Sequence, residues 1–190
     1  MALLAALNIA IARTFYRSVL LRLGAGTTAL ASGIISLGLI WSYYFYTGTV
    51  DSWPLQGIAW FVIVGMLGGV GGRYLNFFSM KELGLARTSV LMQTSIIWST
   101  GLAIVLLGEQ VNLTIGAGTA AIMIGSILLV YKGGSELKEV PFSYYFIPVV
   151  AAFLLGLSHL LRKYGYNWID SATFGLSISN TVSVMTMIAI

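Results

Sequence analysis

Residues 65–134 read GMLGGVGGRYLNFFSMKELGLARTSVLMQTSIIWSTGLAIVLLGEQVNLTIGAGTAAIMIGSILLVYKGG. The stretch divides into a glycine-rich apolar helix, a short basic turn, a second apolar helix ending in Leu107-Gly108-Glu109, another short turn, and a third apolar helix with Gly116 and Gly125. Each apolar run reaches or approaches the ~20 residues that a helix rising ~1.5 Å per residue needs to cross a ~30 Å hydrocarbon core. None shows the strict alternation of a barrel strand, so helices are the expected spanning elements.

The rest of the chain has the same character. Hydrophobic residues make up 58% and charged residues 8% of the 190, with a mean hydropathy of +0.91. Soluble domains carry roughly 25% charged residues, so the expectation is an all-α polytopic membrane protein whose first partner is the lipid bilayer. There is no cysteine, and hence no disulfide, thiolate metal site or cysteine nucleophile. One histidine and six carboxylates leave little from which to build a metal cluster. No metal or cofactor is expected. The net charge of +4 is assigned to membrane orientation. Nucleic acid is not an expected partner, because the basic residues are scattered between apolar runs rather than gathered on one polar face.

In chain order, a first helix over residues 1–21 is interrupted by Arg13, which either snorkels from a tilted helix or marks a start several residues downstream of the true one. A turn at residues 22–26 leads to a second helix over 27–46, ending in the aromatic set Trp41, Tyr43, Tyr44 and Tyr46 expected at a membrane interface. Pro54 suits the first turn of a third helix over 55–78. There Gly65 with Gly69, and Gly68 with Gly72, form small-x-x-x-small pairs, read as a packing seam rather than a hinge or phosphate loop. A fourth helix over 86–107 places Ser89, Gln93 and Thr100 on one face with Thr88, Ser95 and Ser99 alongside, as interhelical bonding groups or as a cavity lining. Glu109 reads as a loop or cap carboxylate. A fifth helix covers 113–131, a sixth 142–161, and a seventh starts near Ser171.

Arg73-Tyr74, Leu83-Gly84-Leu85-Ala86-Arg87, Leu107-Gly108-Glu109, Gly116 and Gly125, in that order and spacing, resemble the EamA repeat of the drug/metabolite transporter superfamily. The resemblance implies about ten helices arranged as two five-helix repeats, of which seven are expected in this chain. The chain would then be a fragment lacking the last helices and a few N-terminal residues. A self-comparison points the same way, since Arg17, Thr28 and Ser32 fall on Arg162, Thr173 and Ser177 in a common register. The expected layout is a first repeat over 1–134, a linker over 135–141, and the start of a second repeat over 142–190. Five helices is an odd number, so the two repeats would be inverted. One departure is Ile96, which stands where the family pattern has a helix-kinking proline.

Orientation follows from the basic residues. Arg13, Arg17, Arg22, Arg73, Lys81, Arg87, Lys132 and Lys138 fall on one set of loops, Arg162 and Lys163 on the other. The positive-inside rule then puts the first set in the cytoplasm and the N-terminus outside, in the plasma membrane of a prokaryote.

A transporter of this type holds its substrate near the midplane between repeats. The residues expected to line the path are Asn8, Asn76, Gln93, Thr94, Trp98, Ser158, His159, Ser177 and Asn180. His159 reads as either an interfacial histidine or a proton-coupling group. Arg13 and Arg73 are close enough to a helix end to snorkel. The expected function is export of small polar or amphipathic metabolites such as amino acids, with a homodimer as one admissible assembly. The alternative is a non-transporting membrane scaffold or degenerate partial copy. An intramembrane enzyme is disfavoured, because no Ser-His-Asp set or carboxylate pair falls at membrane depth.

Overall fold

The computed structural model describes residues 2–47, 54–108, 110, 112–132 and 140–190, and no strand occurs among them. The helices are α1 (Ala2–Leu23), α2 (Ala25–Thr47), α3 (Leu55–Leu67), α4 (Asn76–Leu83), α5 (Leu85–Leu107), α6 (Leu113–Lys132), α7 (Phe146–Tyr166) and α8 (Ala172–Ala189). A π-helical segment, Gly68–Leu75, joins α3 to α4 without a break, and a short 3₁₀ turn, Phe142–Tyr145, leads into α7. Five helical runs are long and apolar enough to cross a membrane: Ala25–Thr47, Leu55–Leu83, Leu85–Leu107, Phe142–Tyr166 and Ala172–Ala189.

The joints are tighter than the sequence reading expects. The turn at 22–26 contracts to Gly24, and the basic turn before α5 contracts to Gly84, with φ of 80° and 84°. A side chain at either point would strain the backbone, and glycine lets one residue end one helix and start the next. The third helical run accordingly continues to Leu83 rather than ending at Phe78. The sixth run also goes further, to Tyr166 instead of Leu161. Arg162 and Lys163 therefore lie within α7, not in a loop after it. The extension is held by packing: Gly165 is buried against the Phe61 ring, which leaves no room for a Cβ.

The centre of the bundle is formed by α3 with the π segment, α7 and α8. Helix α3 packs on both α7 and α8, α5 packs along α7, and α2 along α8. Helix α1 rests on α2 and α4, while α6 reaches the bundle through α5. Lipid is as apolar as leucine, so association depends on close backbone approach and interhelical polar bonds. The close approach comes from glycine and alanine. A Cβ on Gly65 would lie 2.5 Å from the Ser179 carbonyl oxygen, and one on Gly69 2.9 Å from that of Ser183, both on α8. Gly71 faces Leu154 on α7, and Gly156 of α7 faces the Ser95 carbonyl oxygen and Trp98 of α5. Gly68 has nothing within 4 Å of its Cβ position.

Three apolar clusters fill the remaining volume. Leu20, Ala29, Phe77, Met80 and Met187 pack at one end, Tyr44, Phe61, Ile169 and Phe174 at the other, and Met92, Ala151 and Ala152 between α5 and α7. Large apolar side chains such as Ile34, Ile35 and Leu39 remain exposed on α2, as a lipid-facing surface requires.

Candidate substrate cavity

Four helices border an open cavity of ≈ 230 Å³, with α2 contributing Ile40. Helix α7 contributes Leu155, Ser158 and Arg162; α8 contributes Leu176, Ser179, Asn180 and Ser183; α3 and the π segment contribute Val64, Gly65, Gly68, Gly72 and Arg73. Spacings of three and four keep each set on one face of its helix. A second cavity of ≈ 270 Å³ lies on the other side of the π segment, lined in part by Arg13, Tyr16, Ser32, Ser36 and Asn76. Gly72 and Arg73 border both.

Arg73 is the polar centre of this region. Its Nη1 donates to Ser183 Oγ at 3.3 Å, and its Nη2 donates to Asn180 Oδ1. The guanidinium also lies against α2, where a Cβ on Gly33 would come within 3.0 Å of Nη1. A π-helical stretch within an α-helix is uncommon and recurs at functional sites. Here it turns a charged side chain from a lipid-spanning helix onto α8.

This corrects the reading of Arg73 as a snorkelling residue. Its acceptors come from α8, far along the chain, and nothing near Arg73 in sequence announces them. Arg13 differs from the snorkelling reading in the same way, since its Nη1 donates to Ser89 Oγ of α5 at 3.1 Å. Ser89 thus uses the polar face of α5 to join two helices.

The hydroxyls around the first cavity are largely committed. Ser158 Oγ donates to the Leu155 carbonyl oxygen at 2.8 Å, and Ser179 Oγ to that of Leu176 at 3.2 Å. Two donors are not committed: Arg162 Nε and Asn180 Nδ2 are buried without a hydrogen-bond partner. Burying such a donor unpaired costs about 1–3 kcal/mol. Neither cavity has a carboxylate among its described lining residues.

Of the residues expected to line a path, Ser158 and Asn180 border the first cavity and Asn76 the second. Ser177 is fully buried on α8, its hydroxyl bonded to the Thr173 carbonyl oxygen at 2.9 Å. Gln93, Thr94 and Trp98 lie on α5 outside both linings. Thr94 bonds back to the Leu91 carbonyl oxygen, and Trp98 stands edge-on to Phe153 of α7 with ring centroids 5.4 Å apart. Asn8 and His159 are exposed on α1 and α7. Glu109 and most of the 135–141 linker lie outside the described residues. The sequence reading did not include Arg162, Ser179 and Ser183. The spacing of Leu176, Ser179, Asn180 and Ser183 was the available signal for the α8 stripe.

A family model described as the EamA-like transporter family matches residues 1–131. The chain belongs to that family, within the drug/metabolite transporter superfamily, and is an integral membrane protein. No curated protein and no solved structure matched it.

Proposed function

We propose that this protein exports small polar or amphipathic metabolites, such as amino acids, by alternating access around the Arg73 cavity. The observation that carries the reading is where the cavity's walls come from. One wall is α3 with its π segment and Ile40 of α2, and the other is α7 and α8, from beyond the 133–139 stretch. A site between two repeats is where rocking of one against the other exposes it to each side in turn. In this reading residues 1–134 are the first repeat, 135–141 a linker, and 142 onward the second, inverted repeat. Helices α1 and α6 then also span the membrane, which is the plasma membrane of a prokaryote, with the N-terminus outside.

The test is efflux of pooled labelled metabolites from cells expressing the protein, compared with cells expressing Ser158→Leu, a change that fills the cavity. Loss of a metabolite from wild-type cells but not from the variant supports the proposal. No difference from empty-vector cells for any metabolite favours the scaffold reading. A reporter fused within residues 47–53 should be accessible from outside, and cytoplasmic behaviour would reverse the orientation.

A further inference from the structure

The formal charge around the cavity is all of one sign. Arg73 and Arg162 bring two guanidinium groups to its lining, and no carboxylate is among the described residues there. The Asn180 amide has a fixed sense, because Arg73 donates to its Oδ1 and the amide nitrogen must be the other atom. That nitrogen is buried and unpartnered, on a residue only 5% exposed that lines the cavity. Arg162 Nε is the second buried donor without a partner. The Ser158 and Ser179 hydroxyl hydrogens are already spent on carbonyl oxygens of their own helices. A ligand that balances this site must supply negative charge.

We infer that the cavity binds a small organic anion through its oxyanion group, held by the Arg162 guanidinium with Arg73 as the second, fixed positive charge. Planar guanidinium forks match carboxylate and phosphate oxygens, and charge-assisted bonds are about twice as strong as neutral ones. An ammonium group finds no carboxylate partner among the described lining, so a cation is disfavoured. The ≈ 230 Å³ volume is below the ~300–1,000 Å³ of drug-sized pockets, which limits the ligand to a small metabolite. The inference rests on the transport reading and narrows its substrate class. It makes Arg162 a binding residue and Asn180 the group that orients Arg73.

The experiment uses the purified protein in detergent with four probes: succinate and phosphoglycolate as carboxylate and phosphate anions, succinamide as the neutral analogue of succinate, and putrescine as a four-carbon cation. Binding to the folded state raises the melting temperature in proportion to ln(1 + [ligand]/Kd). At millimolar concentration at least one anion should stabilise the protein, while succinamide and putrescine should not. Arg162→Gln should weaken anion binding by about tenfold to a hundredfold, the usual effect of losing a charged hydrogen bond. Asn180→Asp keeps the acceptor for Arg73 but adds a negative charge at the cavity, and should abolish binding while the unliganded protein stays folded. The inference is overturned if neither anion stabilises the protein, if succinamide or putrescine does so equally, or if Arg162→Gln binds the anion as well as wild type. Anion binding that depends on Arg162, in a protein that exports no metabolite, would uphold the site and refute the transport reading. Export of neutral or cationic metabolites that survives Arg162→Gln would do the reverse.

Discussion

The Arg73 guanidinium, in the π-helical turn of one membrane-spanning helix, donates to the side-chain oxygen of Asn180 on another, 107 residues later in the chain. The same guanidinium also reaches Ser183. Arg73→Ala should lower stability by about 1–3 kcal/mol, because it leaves the buried Asn180 amide with neither of its polar atoms paired. Asn180→Ala should cost a similar amount. In a double-mutant cycle the two losses should fall short of adding by about 1 kcal/mol, measured by thermal unfolding in detergent; strict additivity would mean the bond contributes nothing. Arg73→Lys should recover only part of the loss, since an ammonium lacks the guanidinium's rigid fork.

Gly65 and Gly68 lie on the same helical run but should respond in opposite ways to the same change. Gly65→Ala would force a methyl to 2.5 Å from the Ser179 carbonyl oxygen, a backbone atom that can yield only if α8 moves. Overpacking of this kind costs about 1–3 kcal/mol. Gly68→Ala meets nothing within 4 Å and should be neutral, or stabilising by up to about 1 kcal/mol through the unfolded state. Equal melting temperatures for the two variants would refute the packing seam at Gly65.

Phe61 is fully buried, and its ring occupies the space left by Gly165 and Gly175. Phe61→Ala should cost about 3–5 kcal/mol by leaving a cavity. Gly165→Ala should also destabilise, since its Cβ would come 2.8 Å from the ring. Adding Phe61→Leu to Gly165→Ala should regain part of that second loss by making room for the methyl. A double variant that melts at the temperature expected from simple addition of the two losses would show that the ring and the glycine do not share this space.

Trp41 on α2 donates its indole N–H to Thr181 Oγ1 on α8 at 3.0 Å, while Thr181 itself donates to the Ser177 carbonyl oxygen at 2.8 Å. Trp41→Phe keeps most of the ring and removes the donor, so the expected loss is about 0.6–2 kcal/mol, the range for polar contacts between membrane helices. Thr181→Val should remove the benefit of Trp41, so that Trp41→Phe in that background costs little more. Thermal unfolding of the four proteins measures both effects.

The class of the protein could be read from its apolar runs and sparse charge, because the bilayer imposes one strong and local requirement on every span. The close contacts of Gly65 and Gly69 with α8 occur at a small-x-x-x-small pair for a similar reason. Close helix approach needs small residues wherever it happens, and that need appears in the residues themselves. The partners of Arg73 were not legible, because a guanidinium in an apolar run looks the same whether it snorkels or meets Asn180 on a distant helix. The π segment has a faint signature in its four glycines followed by Arg73, yet a wider turn depends on what packs against it. Arg162 was hidden by a boundary: a basic pair after an apolar run reads as a loop, and only the seating of Gly165 on Phe61 shows that α7 continues past it.

The 107-residue interval between Arg73 and Asn180 also sets a clock for biosynthesis. At about 5–20 residues per second, roughly 5–20 seconds of synthesis separate the two side chains. During that time the Leu55–Leu83 helix can already be in the bilayer with its guanidinium lacking α8 and lipid filling the groove at Gly65 and Gly69. An arginine at the centre of a lone membrane helix costs about 2.5–3.5 kcal/mol or more. The nascent protein is therefore most vulnerable to membrane proteases in this interval, and a slowed ribosome between the two helices should lower its yield more than one slowed after Asn180.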